Sequence, residues 1–185
     1  MAVRDIGFSP KKALESTLYI ASRLQNPTIH EVLKLRYFAD KLHLSEYGFM
    51  PSGDEYVAMK FGPVASSTYR LLAAARGDVS AFIHPAFYEI TEGALDVERG
   101  SHRVKPKRDA DVSCLSKSDV EILDKAITLY GNMSFKERTN LSHDSAWQTA
   151  WDAATADEAG QSQMPLETIV GTLENAEELL AYMNA

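Results

Sequence analysis

Between residues 29 and 42, apolar side chains come too often for a helix with one wet face. Ile29, Val32, Leu33, Leu35, Phe38, Ala39 and Leu42 spread around the helical circumference instead of lining one stripe. Such a helix is stable only when neighbours cover it on several sides. Thr28, with Glu31 three residues on, makes a capping box at its start. The rest of the chain is therefore expected to wrap this helix. The expected result is mainly α: a single compact helical domain over residues 1–185, with a small antiparallel β-hairpin or meander inserted. A chain of 185 residues has enough interior for one such core.

The flanking pattern supplies the wrapping elements. Ser9 and Pro10 start a helix over residues 10–25, with Leu14, Leu18, Ala21 and Leu24 at helical spacing, and Asn26-Pro27 breaks it. Gly48, Pro51, Ser52 and Gly53 make a turn region. Residues 56–60 read as a short strand or an extended segment, and Gly62-Pro63 as a sharp break. Ser66 or Ser67 then starts a helix ending at Gly77. Over residues 87–105, Tyr88 and Ile90 alternate with polar residues, as do Leu95 and Val97, which predicts the β-element. Ser116 or Ser118 caps a helix stopping at Gly131, and Ser134 with Glu137 caps a shorter one. A further helix is expected over 141–151, a loop over 152–165, and an acidic amphipathic helix over 166–184.

Charge is unevenly distributed. The net charge is −7, and eight acids with no Lys or Arg follow Arg138. An acidic end disfavours nucleic acid and anionic lipid and suits a basic partner surface. The one cationic patch is Arg99, His102, Arg103, Lys105, Lys107 and Arg108, on the expected hairpin. It either grips phosphate or an acidic protein, or guards an edge strand against pairing. The lack of interleaved aromatics favours the second. No apolar run reaches the length of a membrane span, and the first 25 residues lack a leader's hydrophobic stretch. Cys114 is the only cysteine, so neither an internal disulfide nor a multi-cysteine zinc site is expected. A cytoplasmic protein is the expectation.

The histidines are His30, His43, His84, His102 and His143, and none falls in an HExxH pattern. The phosphate-binding GxxxxGK[ST] loop, the GxGxxG fingerprint and the GxSxG elbow are also missing. Two groupings without a motif stay open: Asp40, His43 and Asp54, and His143, Asp144 and Asp152. His143 ahead of Trp147 reads better as a packed corner, with the ring bonded to a backbone carbonyl and the indole in the core. No catalytic, metal or cofactor-binding residue is assigned, and no cofactor is expected.

Tyr37, Tyr47, Phe49, Tyr56, Phe61 and Tyr69 crowd the turns around residues 48–63. Some rings are expected to fill the core and others to face a partner, since Tyr is common at interface hot spots. The partner-binding candidates are Tyr47, Asp54, Tyr56, Lys60, Phe61 and Tyr69.

The same region carries a resemblance. Lys34-Leu35-Arg36-Tyr37-Phe38-Ala39-Asp40, then Tyr47-Gly48, then Ala58-Met59-Lys60-Phe61-Gly62-Pro63-Val64 stand in one order and spacing. Leu141-Ser142-His143 and Ala146-Trp147 follow. Together they resemble the Panacea domain, the SocA-like antitoxin domain of phage-associated proteins, over about residues 9–151. Its signature positions here are Tyr37, Phe38, Asp40, Gly48, Gly62, Pro63, His143 and Trp147. The resemblance implies a mostly helical fold with a small β-element. It also implies an antitoxin, encoded beside a toxin gene, that neutralises the toxin by direct protein–protein binding without catalytic residues. On physical grounds Gly62-Pro63 fixes a turn. Asp40 and Lys60 are expected to pair and lock the helix to it, with Asp54 closing the turn.

The leading function is therefore a toxin–antitoxin system component that occludes a cognate protein toxin, the product of the adjacent gene. An adaptor delivering its partner to a protease or another machine is the alternative, with the acidic C-terminal helix as second docking surface. A hydrolase or metal protein built on His143 is the third. Membrane is not expected as a partner, and a homo-oligomer stays open.

Overall fold

The computed structural model describes residues 7–183. α1 (Pro10–Arg23) begins with Ser9 accepting from the Lys12 amide and Pro10 in the first turn. α2 (Ile29–Tyr47) begins at the Thr28/Glu31 capping box and ends at Gly48, whose φ of 78° suits glycine. A hairpin of β1 (Tyr56–Met59) and β2 (Gly62–Ala65) leads into α3 (Ser66–Ala75). Next come α4 (Pro85–Thr91), a second hairpin of β3 (Leu95–Val97) and β4 (Val104–Pro106), and α5 (Lys117–Tyr130). The chain continues through α6 (Phe135–Ser142), α7 (Ser145–Ala156), β5 (Ser162–Met164), α8 (Leu166–Val170) and α9 (Ala176–Met183). The fold is mainly α with small antiparallel sheets, one ordered β2-β1-β5 and one formed by β3 and β4.

α2 is the hub its composition demands. Twelve of its nineteen residues are buried, and α1, α3, α5, α6, α8 and β2 all pack on it. Besides Tyr37, four of the buried residues, Lys34, Arg36, Asp40 and His43, are titratable, so each needs partners in a poorly polarisable interior. Arg36 Nε donates to both Asp40 carboxylate oxygens at 3.2 Å, and its Nη2 donates to Ser52 Oγ. Tyr56 Oη donates to Asp40 Oδ2 at 2.7 Å. Burial pushes the Asp40 carboxyl up, against the pull of the Arg36 guanidinium.

His43 belongs to a different network. Its ring lies 2.9 Å from the Phe49 carbonyl oxygen, 3.2 Å from Ser118 Oγ and 3.3 Å from Asp119 Oδ1. Asp119 also pairs with Lys12 at 2.7 Å. Burial raises the Asp119 carboxyl, but the hydrogen bonds from His43 and Lys12 outweigh it and hold the group well below the usual range.

Some local expectations are corrected. Residues 85–91 are helical rather than extended: Pro85 fits the first turn, and Phe87 and Thr91, four apart, are the buried positions. Two alternating residues, Tyr88 and Ile90, were too few to fix a period of two. The β-element there reduces to Leu95–Val97 and Val104–Pro106, with Leu95 opposite Pro106. The expected loop over 152–165 holds the end of α7 and also β5, which pairs with β1. The expected helix over 166–184 is two helices, because residues 171–175 turn away so that Asn175 can exchange hydrogen bonds with Ser45, both at 3.0 Å. Residue 184 and part of the leader expectation, residues 1–6, lie outside the described residues. No helix among the described residues is long and apolar enough to cross a membrane.

Candidate functional site

The β1–β2 connection is a two-residue turn, closed by the Met59–Gly62 pair, with Lys60 and Phe61 at its tip. Gly62 adopts φ +101°, a conformation other residues adopt only under strain. There is also no room for a side chain: a Cβ on Gly62 would lie 2.5 Å from Ser142 Oγ and 2.7 Å from Lys34 Nζ. The backbone is gripped on both sides of the tip. Trp147 Nε1 donates to the Met59 carbonyl at 3.0 Å, and Lys34 Nζ donates to the Pro63 carbonyl at 2.7 Å. Of the signature residues, Gly62, Pro63 and Trp147 meet at this turn, whereas Asp40 pairs with Arg36, Gly48 ends α2 and Tyr37 binds Asp144.

The tip itself is open. Phe61 is 52% exposed and Phe135, at the start of α6, is 50% exposed. Their ring centroids are 5.7 Å apart in an edge arrangement, and Phe135 stacks on His30 at 4.1 Å. Lys60 is exposed, with Nζ 5.6 Å from the Phe61 ring centre. The pair of rings with its lysine forms a ledge over α2 and α6. Exposed aromatics on a fixed backbone are what a binding hot spot requires.

Beneath the ledge lie the perturbed bases. Lys34 is only 2% exposed, and burial lowers its ammonium to about 7. Burial, then the charges of Lys34 and Arg138, lower His30 to about 4. His143 is also lowered, by burial and by Lys34. Its ring stacks face to face on Trp147 at 3.5 Å rather than bonding a carbonyl, and its Nε2 is buried with no hydrogen-bond partner among the described residues. Ser142 Oγ and Lys34 Nζ both border Gly62, an arrangement with the atoms of a serine–lysine dyad. Yet Ser142 is fully buried and donates to the Thr139 carbonyl, while Lys34 is committed to Pro63.

The other expected site residues are scattered. Tyr56 is 1% exposed and serves Asp40, so it does not face a partner. Asp54 is buried and caps α3 from outside, accepting from the amides of Ser67 and Thr68 and from Thr68 Oγ1 at 2.6–2.9 Å. Its acceptors are filled, which removes it from the surface set. Tyr47 is half-buried against His43, and Tyr69 is half-buried on α3. Lys60 does not pair with Asp40, which Arg36 and Tyr56 already occupy. Of the two motif-free groupings, Asp40 and Asp54 both face Arg36 while His43 turns away. Asp144 binds Tyr37, Lys41 and the Trp147 amide, while Asp152 takes Gln148, so no acid site forms at His143. Among the described residues no group of His, Cys, Asp and Glu is placed to hold a metal ion. Phe135 was missed. Its signal was an apolar ring directly after the Ser134 cap of an otherwise polar helix.

The basic run is occupied internally. Lys105 pairs with Glu98, Lys107 with Asp96 and Arg108 with Glu15. Arg99 and Arg103 donate to the backbone carbonyls of Arg76, Gly77 and Asn26.

A helical body that clamps a hairpin tip and leaves its rings exposed is thus the class of structure observed. The family model described as antitoxin SocA-like, Panacea domain, matches residues 32–148. The chain belongs to that family. The match covers the clamp, from α2 through β1–β2 to Trp147, and leaves α1 and residues 149–185 outside. Neither curated proteins nor solved structures match the chain.

Proposed function

We propose that this protein is an antitoxin that acts in the cytoplasm as a single domain and neutralises a cognate protein toxin by binding and occluding it. Family membership supports the class. The observation that carries the binding face is the exposed Phe61–Phe135 pair on a turn fixed by Lys34 and Trp147. Fixing the backbone before binding lowers the entropy lost on association. The lone cysteine suits a reducing compartment.

The test is co-expression with the product of the adjacent reading frame. Wild type is expected to rescue growth and to co-purify with that product. The double variant Phe61→Ser/Phe135→Ser is expected to fold normally and to bind at least about tenfold more weakly, the usual cost of losing hot-spot aromatics. Absence of toxicity in that product, or of binding by wild type, overturns the reading. Unchanged binding by the double variant moves the interface elsewhere.

A further inference from the structure

Among the described residues almost every cation is spoken for. Among the described residues, lysines and arginines donate to carboxylates or backbone carbonyls throughout α1, α2, α5 and the β3–β4 hairpin. Lys11 lies near Cys114 and Asp111, which raise its ammonium. Arg138 is buried against Glu31 at 2.8 Å, and Arg76 is taken by Asp78. Lys60, Lys136 and Arg70 remain, each exposed and without an ion pair or an acceptor among the described residues. Arg70 lies on α3. The other two sit beside the ledge: Lys60 precedes Phe61 in the turn, and Lys136 follows Phe135 in the first turn of α6.

The acids close by cannot serve them. Glu137 accepts from the Ser134 amide as part of its capping box. Glu31 is held by Thr28 and Arg138, and Asp144 by Tyr37 and Lys41. In a chain with net charge −7, one unpaired ammonium thus lies near the Phe61 ring, and a second unpaired lysine follows Phe135 on α6. A surface that leaves charge unpaired next to exposed apolar area is complementary to the opposite charge around an apolar plug.

We infer that the ledge receives an acidic protein segment: an aromatic or aliphatic side chain seats on Phe61 and Phe135, and carboxylates on either side meet Lys60 and Lys136. This rests on the ledge being the partner face. Nucleic acid, which also combines bases that stack with phosphates, is disfavoured by the overall negative charge and by the small number of free cations.

The test is selection of a displayed library of random twelve-residue peptides on the whole protein, which needs no knowledge of the natural partner. Wild type is expected to enrich peptides with Asp or Glu on both sides of Leu, Phe or Trp. Synthetic copies should lose at least about tenfold in affinity for Phe61→Ser/Phe135→Ser and weaken with added salt. Lys60→Glu/Lys136→Glu alters two exposed, unpaired positions, so it leaves the fold intact by circular dichroism. It is expected to shift selection to Lys- or Arg-flanked apolar peptides. Overturning results are enrichment of uncharged or basic peptides by wild type, an unchanged set with the charge-reversed variant, or no ledge-dependent peptide at all. A twelve-nucleotide oligo-dT that binds wild type and not the charge-reversed variant also overturns it, in favour of nucleic acid. Because no toxin is used, failure here leaves the antitoxin reading to its own co-expression test.

Discussion

Two short antiparallel hairpins, β1–β2 and β3–β4, each offer lysine to the surface, and the chain uses them in opposite ways. In β3–β4 the side chains are occupied: Lys105 by Glu98, Lys107 by Asp96 at 2.8 Å, with Arg103 turned onto the Asn26 carbonyl. In β1–β2 the backbone is occupied, through the Met59 and Pro63 carbonyls, and the side chains of Lys60 and Phe61 are left open. The richer cluster of positive charge is therefore structural, and the poorer one is available. What counts for recognition is charge left unpaired after folding, which a tally along the chain does not measure.

The comparison can be broken from the β1–β2 side first. Lys34 has a folded value of about 7 against an ordinary 10.5, because burial strips water from its ammonium. The folded state then binds fewer protons than the unfolded state between those values. Stability is fully present above pH 10.5 and is lost as pH falls towards 7. Urea denaturation across this range should show that slope in wild type and not in Lys34→Met. The difference between them should amount to on the order of 5 kcal/mol. Equal slopes would mean that Lys34 is not desolvated under the turn.

Gly62→Ala should come next. It combines a strained φ with a Cβ driven into Ser142 and Lys34, at a cost of about 3 kcal/mol in equilibrium denaturation. A loss under about 1 kcal/mol would show that the turn yields easily. Asp54→Ala removes the cap of α3, where β2 ends. About 2 kcal/mol is the expected loss, read from the same curves. The smallest effect belongs to the other hairpin. Lys105→Ala/Lys107→Ala should leave both the urea midpoint and binding of the proposed partner unchanged, since exposed ion pairs contribute little. A binding defect there would invert the contrast.

Local signals were legible in advance because they are local. The capping boxes at Thr28 and Ser134 formed as expected, and of the two serines offered for α5 it is Ser116 that caps it, with Asp119 completing a box. The all-round apolar pattern of α2 correctly announced a hub. What that pattern hid is that Lys34, Arg36, Asp40 and His43 go inside with it, since burial of a charge depends on partners from distant segments. Side-chain direction was equally hidden. Tyr56 and Phe61 looked alike as aromatics beside turns, yet the pleat sends Tyr56 to Asp40 and the turn sends Phe61 to water. The signal at Phe135 could mark an exposed ring but not its place beside Phe61, which the packing of α6 on β2 decides. The break in the last helix depends on Asn175 finding Ser45, another contact between remote segments.

The double grip on the turn has a practical consequence. Since Trp147 and Lys34 hold main-chain oxygens, they are indifferent to which side chains stand at positions 60 and 61. The tip behaves like a replaceable bit in a fixed chuck: two codons can be rewritten to change what is grasped, while the machinery that aims the bit stays as it is.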